Sequence, residues 1–135
     1  MTDWDVARWP NFRPEEVACP CCGEVYVDPD AMDALQRLRD ALARPVAISS
    51  GHRCAAHNKA VGGAPTSKHL ALAFDVPVSG DWREFHDAAI RAGFTGIGYA
   101  ETYIHLDTRP APARWHYSDN AKTLWAGKLF GSRNT

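Results

Sequence analysis

Between Met32 and Leu42 the apolar residues Met32, Leu35, Leu38 and Leu42 recur at spacings of three and four. That period places them on one face and predicts an amphipathic helix. Asp28 supplies an N-cap and Pro29 the first helical position. Asp33 and Arg37 are expected to pair along the wetter side, and Pro45 stops the helix. A second helix opens at Gly80-Asp81, carries Trp82, Phe85, Ala89 and Ile90, and is closed by Gly93. Shorter helices are expected at Pro14 and over Ala55 to Val61, the latter ended by Gly62-Gly63. β-prone runs cover Glu24 to Val27, Val46 to Ser50 and Leu72 to Val78, where Pro77 marks a strand end or a sheet edge. Gly96 to Ala100 and Tyr103 to Asp107 read as a hairpin. Trp9 to Pro14 reads as an extended lead-in, Cys19 to Gly23 as a tight turn, and Ala64 to Ser67 as a loop. Ala113 to Phe130 is aromatic and helical in part. Strands and helices are mixed without strict βαβ alternation. The expected fold is α+β, a small single domain over residues 1–135 with a central antiparallel sheet flanked by helices.

Composition narrows the class. The chain has 135 residues, 45% hydrophobic and 23% charged, as one globular domain would. Fifteen Lys+Arg against 16 Asp+Glu give a net charge of −1 and no basic field for nucleic acid. No apolar run approaches the roughly 20 residues of a membrane span. Met1 to Asp5 has neither the basic nor the apolar region of a secretory signal, so cytoplasmic synthesis is expected, as is a monomer. The six His and four Cys are left as the residues that invite a functional account.

His69 follows a Gly/Pro-rich loop, and Asp75 stands inside the apolar run Leu70 to Val76. An ionised carboxylate there needs a partner, because unpaired burial costs several kcal/mol. His105 interrupts Tyr103-Ile104-x-Leu106 in the same way. Each residue alone reads more simply as a satisfied core or strand-end side chain. Together, two His and one carboxylate on different elements are the ligand set of a catalytic zinc site with an open fourth position.

The ordered series Ser49-Ser50-Gly51-His52-Arg53-Cys54, His57-Asn58-x-x-Val61-Gly62-Gly63-Ala64-Pro65, Ser67-x-His69, Ala73-x-Asp75, Gly96-Ile97-Gly98-Tyr99 and Ile104-His105-Leu106-Asp107 resembles the zinc D-Ala-D-Ala carboxypeptidase family. More narrowly it is similar to the short bacteriophage and gene-transfer-agent peptidases that cut peptidoglycan. The resemblance covers about residues 9–117, leaving 118–135 as a tail. It implies a sheet carrying one catalytic Zn2+ on His69, Asp75 and His105, with Arg53 orienting the substrate. It implies hydrolysis of peptide bonds involving D-amino acids in stem peptides or cross-links, by carboxypeptidase or endopeptidase action. The partner is then a peptidoglycan peptide, reached after release of an endolysin-like enzyme from the cytoplasm. A zinc-containing, catalytically weak or inactive peptidoglycan-binding protein is the alternative.

Two features depart from the family pattern. Asp75 stands six positions after His69, where the family has seven and a Gly between. The positions two and three before His105, where family members carry a carboxylate or His, hold Tyr103 and Thr102. Glu101 and Asp107 are the remaining candidates for the base. Asp107 shares a strand face with His105, so it either meets the attacking water or orients His105. Ser67 either binds a substrate carbonyl or shapes its loop, and His52 is a candidate for the cleft wall. His57-Asn58 is expected to pack the helix under the site, and His86 and His116 to lie at the surface.

Three cysteines, Cys19, Cys21 and Cys22, crowd one turn, and Cys54 lies apart. A disulfide from Cys21 or Cys22 to Cys54, free thiols and a structural metal all remain open. A thioredoxin-like redox motif lacks its βαβ setting.

Overall fold

The computed structural model describes residues 4–64, 67–70, 72–78 and 80–130. Helix α1 is Pro14–Val17 and α2 is Pro29–Leu42, where the Asp28 carboxylate accepts from the Asp30 and Ala31 amides. Helix α3 is Ala55–Ala60, and a single 3₁₀ turn follows at Lys68–Leu70. Strand β1 is Phe74–Pro77 and helix α4 is Trp82–Ala92, capped by Asp81 and closed by Gly93. Strands β2 (Gly96–Tyr99), β3 (Tyr103–Asp107) and β4 (Ala113–His116) precede helix α5 (Asp119–Phe130).

The sheet runs β1-β3-β2-β4. β3 pairs antiparallel with both β1 and β2, and β4 pairs parallel with β2. The sheet is therefore mixed, not antiparallel throughout. Pro110 and Pro112 lack the amide needed to continue a ladder beyond β3, and the chain re-enters along the free edge of β2. One sheet face is apolar: Phe74, Val76, Ile97, Tyr99, Ile104 and Leu106 alternate into a core completed by Met32, Leu35 and Leu38 of α2 and Phe85 and Ala89 of α4. The opposite face carries the polar residues described below.

Several local expectations give way to tertiary demands. Val46 to Ser50 forms no strand; it contributes one bridge, Ser50 to Asp75, with Ser49 N donating to Asp75 O at 2.9 Å. Glu24 to Val27 stays irregular, with Val25 and Val27 packed singly on the core. The stretch from Trp9 is turned, not extended: Phe12 N reaches Trp9 O at 3.2 Å, so that both aromatic rings are buried. Asp33 does not pair with Arg37. It accepts from Arg8 and from Trp9 Nε1, while Arg37 Nε donates to Ala92 O across the α2–α4 contact. His86 is buried, not at the surface, whereas His116 is exposed. Pro65 and Thr66 of the expected loop, and the last five residues of the tail, lie outside the described residues.

Candidate metal centre

Strand register builds the site. Asp75 on β1 faces His105 on β3, His105 faces Gly98 on β2, and Gly98 faces Trp115 on β4. Directly opposed residues share a face, so these four form one row across the sheet. His69 reaches the row from the 3₁₀ turn, where Ser67 Oγ accepts from its amide at 3.2 Å.

Three donor atoms converge. His69 Nε2, Asp75 Oδ1 and His105 Nδ1 are mutually 3.2 Å apart. Tetrahedral zinc with bonds of about 2.0–2.1 Å sets its donors roughly 3.3 Å apart. The second atom of each imidazole is already committed. His69 Nδ1 donates to Gly51 O at 2.6 Å, and His105 Nε2 donates to Asp107 Oδ2 at 2.7 Å. Both inward nitrogens are then lone pairs beside a carboxylate, a donor set that calls for a cation and fits zinc.

Asp107 is almost wholly buried. Its oxygens accept from His105 and from the Arg109 amide, Nε and Nη2. Burial raises its carboxyl, yet Arg109 and His105 keep it far below the usual range. The carboxylate is thus fully occupied and braces His105. Arg109 also lies over the Trp115 ring, 4.7 Å from its centroid, and that ring stands 5.2 Å from His105.

The donors open into a cleft of about 630 Å³, walled by Arg53, Gly63, Tyr103, Arg109, Trp115 and Tyr117. Burial raises the phenols of Tyr103 and Tyr117, so both remain protonated donors at neutral pH. Arg53 Nε is buried with no hydrogen-bond partner among the described residues. Its backbone amide is anchored to His69 O at 2.7 Å.

The model of the Peptidase M15 family matches residues 10–107. The chain belongs to the Peptidase M15 family. No curated protein matches it. The family comprises zinc-dependent peptidases acting on peptidoglycan. The match to Peptidase M15 takes in all three donors and stops at Asp107, so β4, α5 and the Arg109–Trp115–Tyr117 wall lie beyond it. None of the helices among the described residues is long and apolar enough to cross a membrane.

The structure places His69, Asp75, His105, Arg53 and Ser67 together on this Peptidase M15 cleft. His52 is buried elsewhere, against Glu24 at 3.1 Å and stacked on Tyr26. Glu101 is exposed at the β2–β3 turn and is not among the cleft residues. Asn58 is buried beneath, its amide donating to Ala64 O. Sequence reasoning missed Arg109, Trp115 and Tyr117. The available signal was the pair Gly96 and Gly98, which empties the strand face beside His105 for some larger side chain to cross.

Proposed function

We propose that this chain hydrolyses peptide bonds involving D-amino acids in peptidoglycan stem peptides, with His69, Asp75 and His105 holding one zinc ion. The convergence of two proton-free imidazole nitrogens and a carboxylate, each 3.2 Å from the others, carries this reading. Zinc in that position supplies Lewis acidity and an open coordination site. The chain supplies the rest. Gly51 and Asp107 fix the two imidazole tautomers, which keeps the inward nitrogens free of protons. Arg53 offers a planar, permanently charged fork to a substrate carboxylate, and its unpartnered Nε supports that role. Tyr103 and Tyr117 offer neutral O–H donors to the scissile carbonyl or the departing amine. Asp107 acts through His105 as a positioning residue.

A second reading has a specific observation behind it. Among the described residues that wall the cleft, Asp75 is the one carboxylate, and it is one of the three metal donors of this reading. A cleft without a separate carboxylate base suits a protein that binds cell-wall peptide and turns it over slowly. One experiment separates the two. Zinc-loaded protein is incubated with purified peptidoglycan and with a stem peptide ending in D-Ala-D-Ala, and released D-Ala and opened cross-links are quantified. Turnover is expected, abolished by His69→Ala. Arg53→Ala is expected to lower kcat/KM by about 10–100-fold, the loss of a charge-assisted hydrogen bond. Binding to peptidoglycan with no product from the wild type would favour the second reading.

A further inference from the structure

None of the four cysteines is among the described residues that line the cleft, although Cys54 directly follows Arg53. Cys19, Cys21 and Cys22 come from the turn before α2, and Cys54 is the N-cap of α3. All four Sγ atoms lie within 4.8 Å of one another. Cys21 Sγ is 3.5 Å from Cys19 Sγ and 3.3 Å from Cys54 Sγ. Zinc with four thiolates at about 2.3 Å sets its sulfurs about 3.8 Å apart, within this spread. One disulfide would join two of these sulfurs and leave two thiols aimed at it without purpose. Cys21 is near two partners at once, which is the layout of a shared centre and not of a pair.

The backbone is shaped for the same end. Gly23 takes φ +75°, a conformation that favours glycine, and its amide closes the turn on Cys19 O at 2.8 Å. Cys19 N returns to Glu24 O at 2.8 Å, so the turn is tied on both sides. Amides are directed at the sulfurs: Cys54 N donates to Cys19 Sγ and His57 N to Cys54 Sγ, each at 3.4 Å. Such N–H donors favour thiolates, the form that ligates a metal.

We propose that Cys19, Cys21, Cys22 and Cys54 hold a second, purely structural zinc ion. Four protein sulfurs leave it no open position for chemistry. Its effect on the cleft is mechanical. It clamps the Cys19–Gly23 turn to Cys54, next to Arg53, in the segment whose Gly51 carbonyl receives His69 Nδ1. The ion thus fixes the backbone from which both Arg53 and the His69 tautomer are set.

The test is made in His69→Ala protein reconstituted with zinc alone, in which the cleft site is disabled. About one zinc per chain is expected to remain after gel filtration. Cobalt(II) in its place is expected to give the intense near-ultraviolet thiolate-to-cobalt band of tetrahedral sulfur ligation. A mercurial thiol reagent is expected to release the zinc to a coloured indicator in step with cysteine modification. That titration works equally on the wild type, should Cys54→Ser fail to fold. If Cys54→Ser folds, its thiolate-to-cobalt band is expected to weaken, because one of the four sulfur ligands is gone. A zinc-free His69→Ala protein, a cobalt spectrum without the thiolate band, or an intact mass two hydrogens short of the reduced chain would overturn the proposal.

Discussion

At the scale of single residues the cleft depends on which imidazole nitrogen carries the proton. Asp107 decides this for His105, because both its oxygens face only N–H donors. Asp107→Asn puts an amide N–H₂ where one oxygen was. Whichever way it turns, two donors then oppose each other, or His105 flips its tautomer and places a proton on Nδ1. Zinc affinity is expected to fall about 10–100-fold with the fold retained. Competition with a chelating indicator, beside a circular dichroism melt, measures both. Unchanged affinity would show that Asp107 does not position His105. Of the three candidate donors, Asp75 and His105 were readable in the sequence as polar residues standing in apolar or β-prone stretches, where burial demands a partner, whereas His69, after a Gly/Pro-rich loop, was marked by the family resemblance. Arg109 gave no such sign. It follows β3 in an irregular, proline-flanked segment, and one arginine among 15 basic residues has no periodicity to mark it.

At the scale of elements, β2 earns its two glycines through close approach. A Cβ at Gly98 would stand 2.7 Å from Trp115 Cε2, and one at Gly96 would run into the Asp107 carboxylate. Strand β2 is thus left bare on its site face, and Trp115 crosses from β4 to meet His105 and Arg109. Gly98→Ala is expected to cost about 1–3 kcal/mol by overpacking a site that cannot collapse. It should also lower kcat/KM by displacing the indole. Gly127→Ala is the matched control: exposed on α5 with nothing within 4 Å of an added Cβ, it should gain up to about 1 kcal/mol. Urea midpoints of both variants decide it, and equal effects would refute the steric account. The helices α2 and α4 and the β2–β3 hairpin were legible from period and caps, since their patterns run over many residues. β4 was not. Its four residues alternate Ala113, Arg114, Trp115 and His116 just after Pro110 and Pro112, and only the waiting edge of β2 makes them a strand.

At the scale of the whole molecule, α5 closes the fold by laying Trp125 where α4 and β2 meet. The Trp125 indole donates to Ala100 O at 2.6 Å and stands 5.3 Å from Tyr99 and 6.3 Å from His86. His86 is the buried imidazole in that joint, while the exposed His116 stacks 5.0 Å from the Tyr99 ring. Tyr99 Oη lies 2.7 Å from its Nε2, Asp87 Oδ1 lies 3.3 Å from its Nδ1, and Arg114 acts on it from β4. If Nδ1–H points to Asp87, the Tyr99 hydroxyl donates to Nε2, and that arrangement needs a neutral ring. Burial lowers the imidazole's pKa below 6.5; Asp87 opposes the shift and Arg114 adds to it. The sign follows directly. Below 6.5 the unfolded chain takes up a proton that the folded chain refuses, so folding stability falls as pH falls, until the lowered folded pKa is passed. One such group changes stability by at most about 1.4 kcal/mol per pH unit. His86→Gln keeps a hydrogen-bond partner for Tyr99 and cannot titrate. Urea midpoints from about pH 7 to pH 5 should therefore fall more steeply for the wild type than for His86→Gln. Parallel profiles would mean that the joint tolerates a charged His86 and that acid weakens the fold elsewhere.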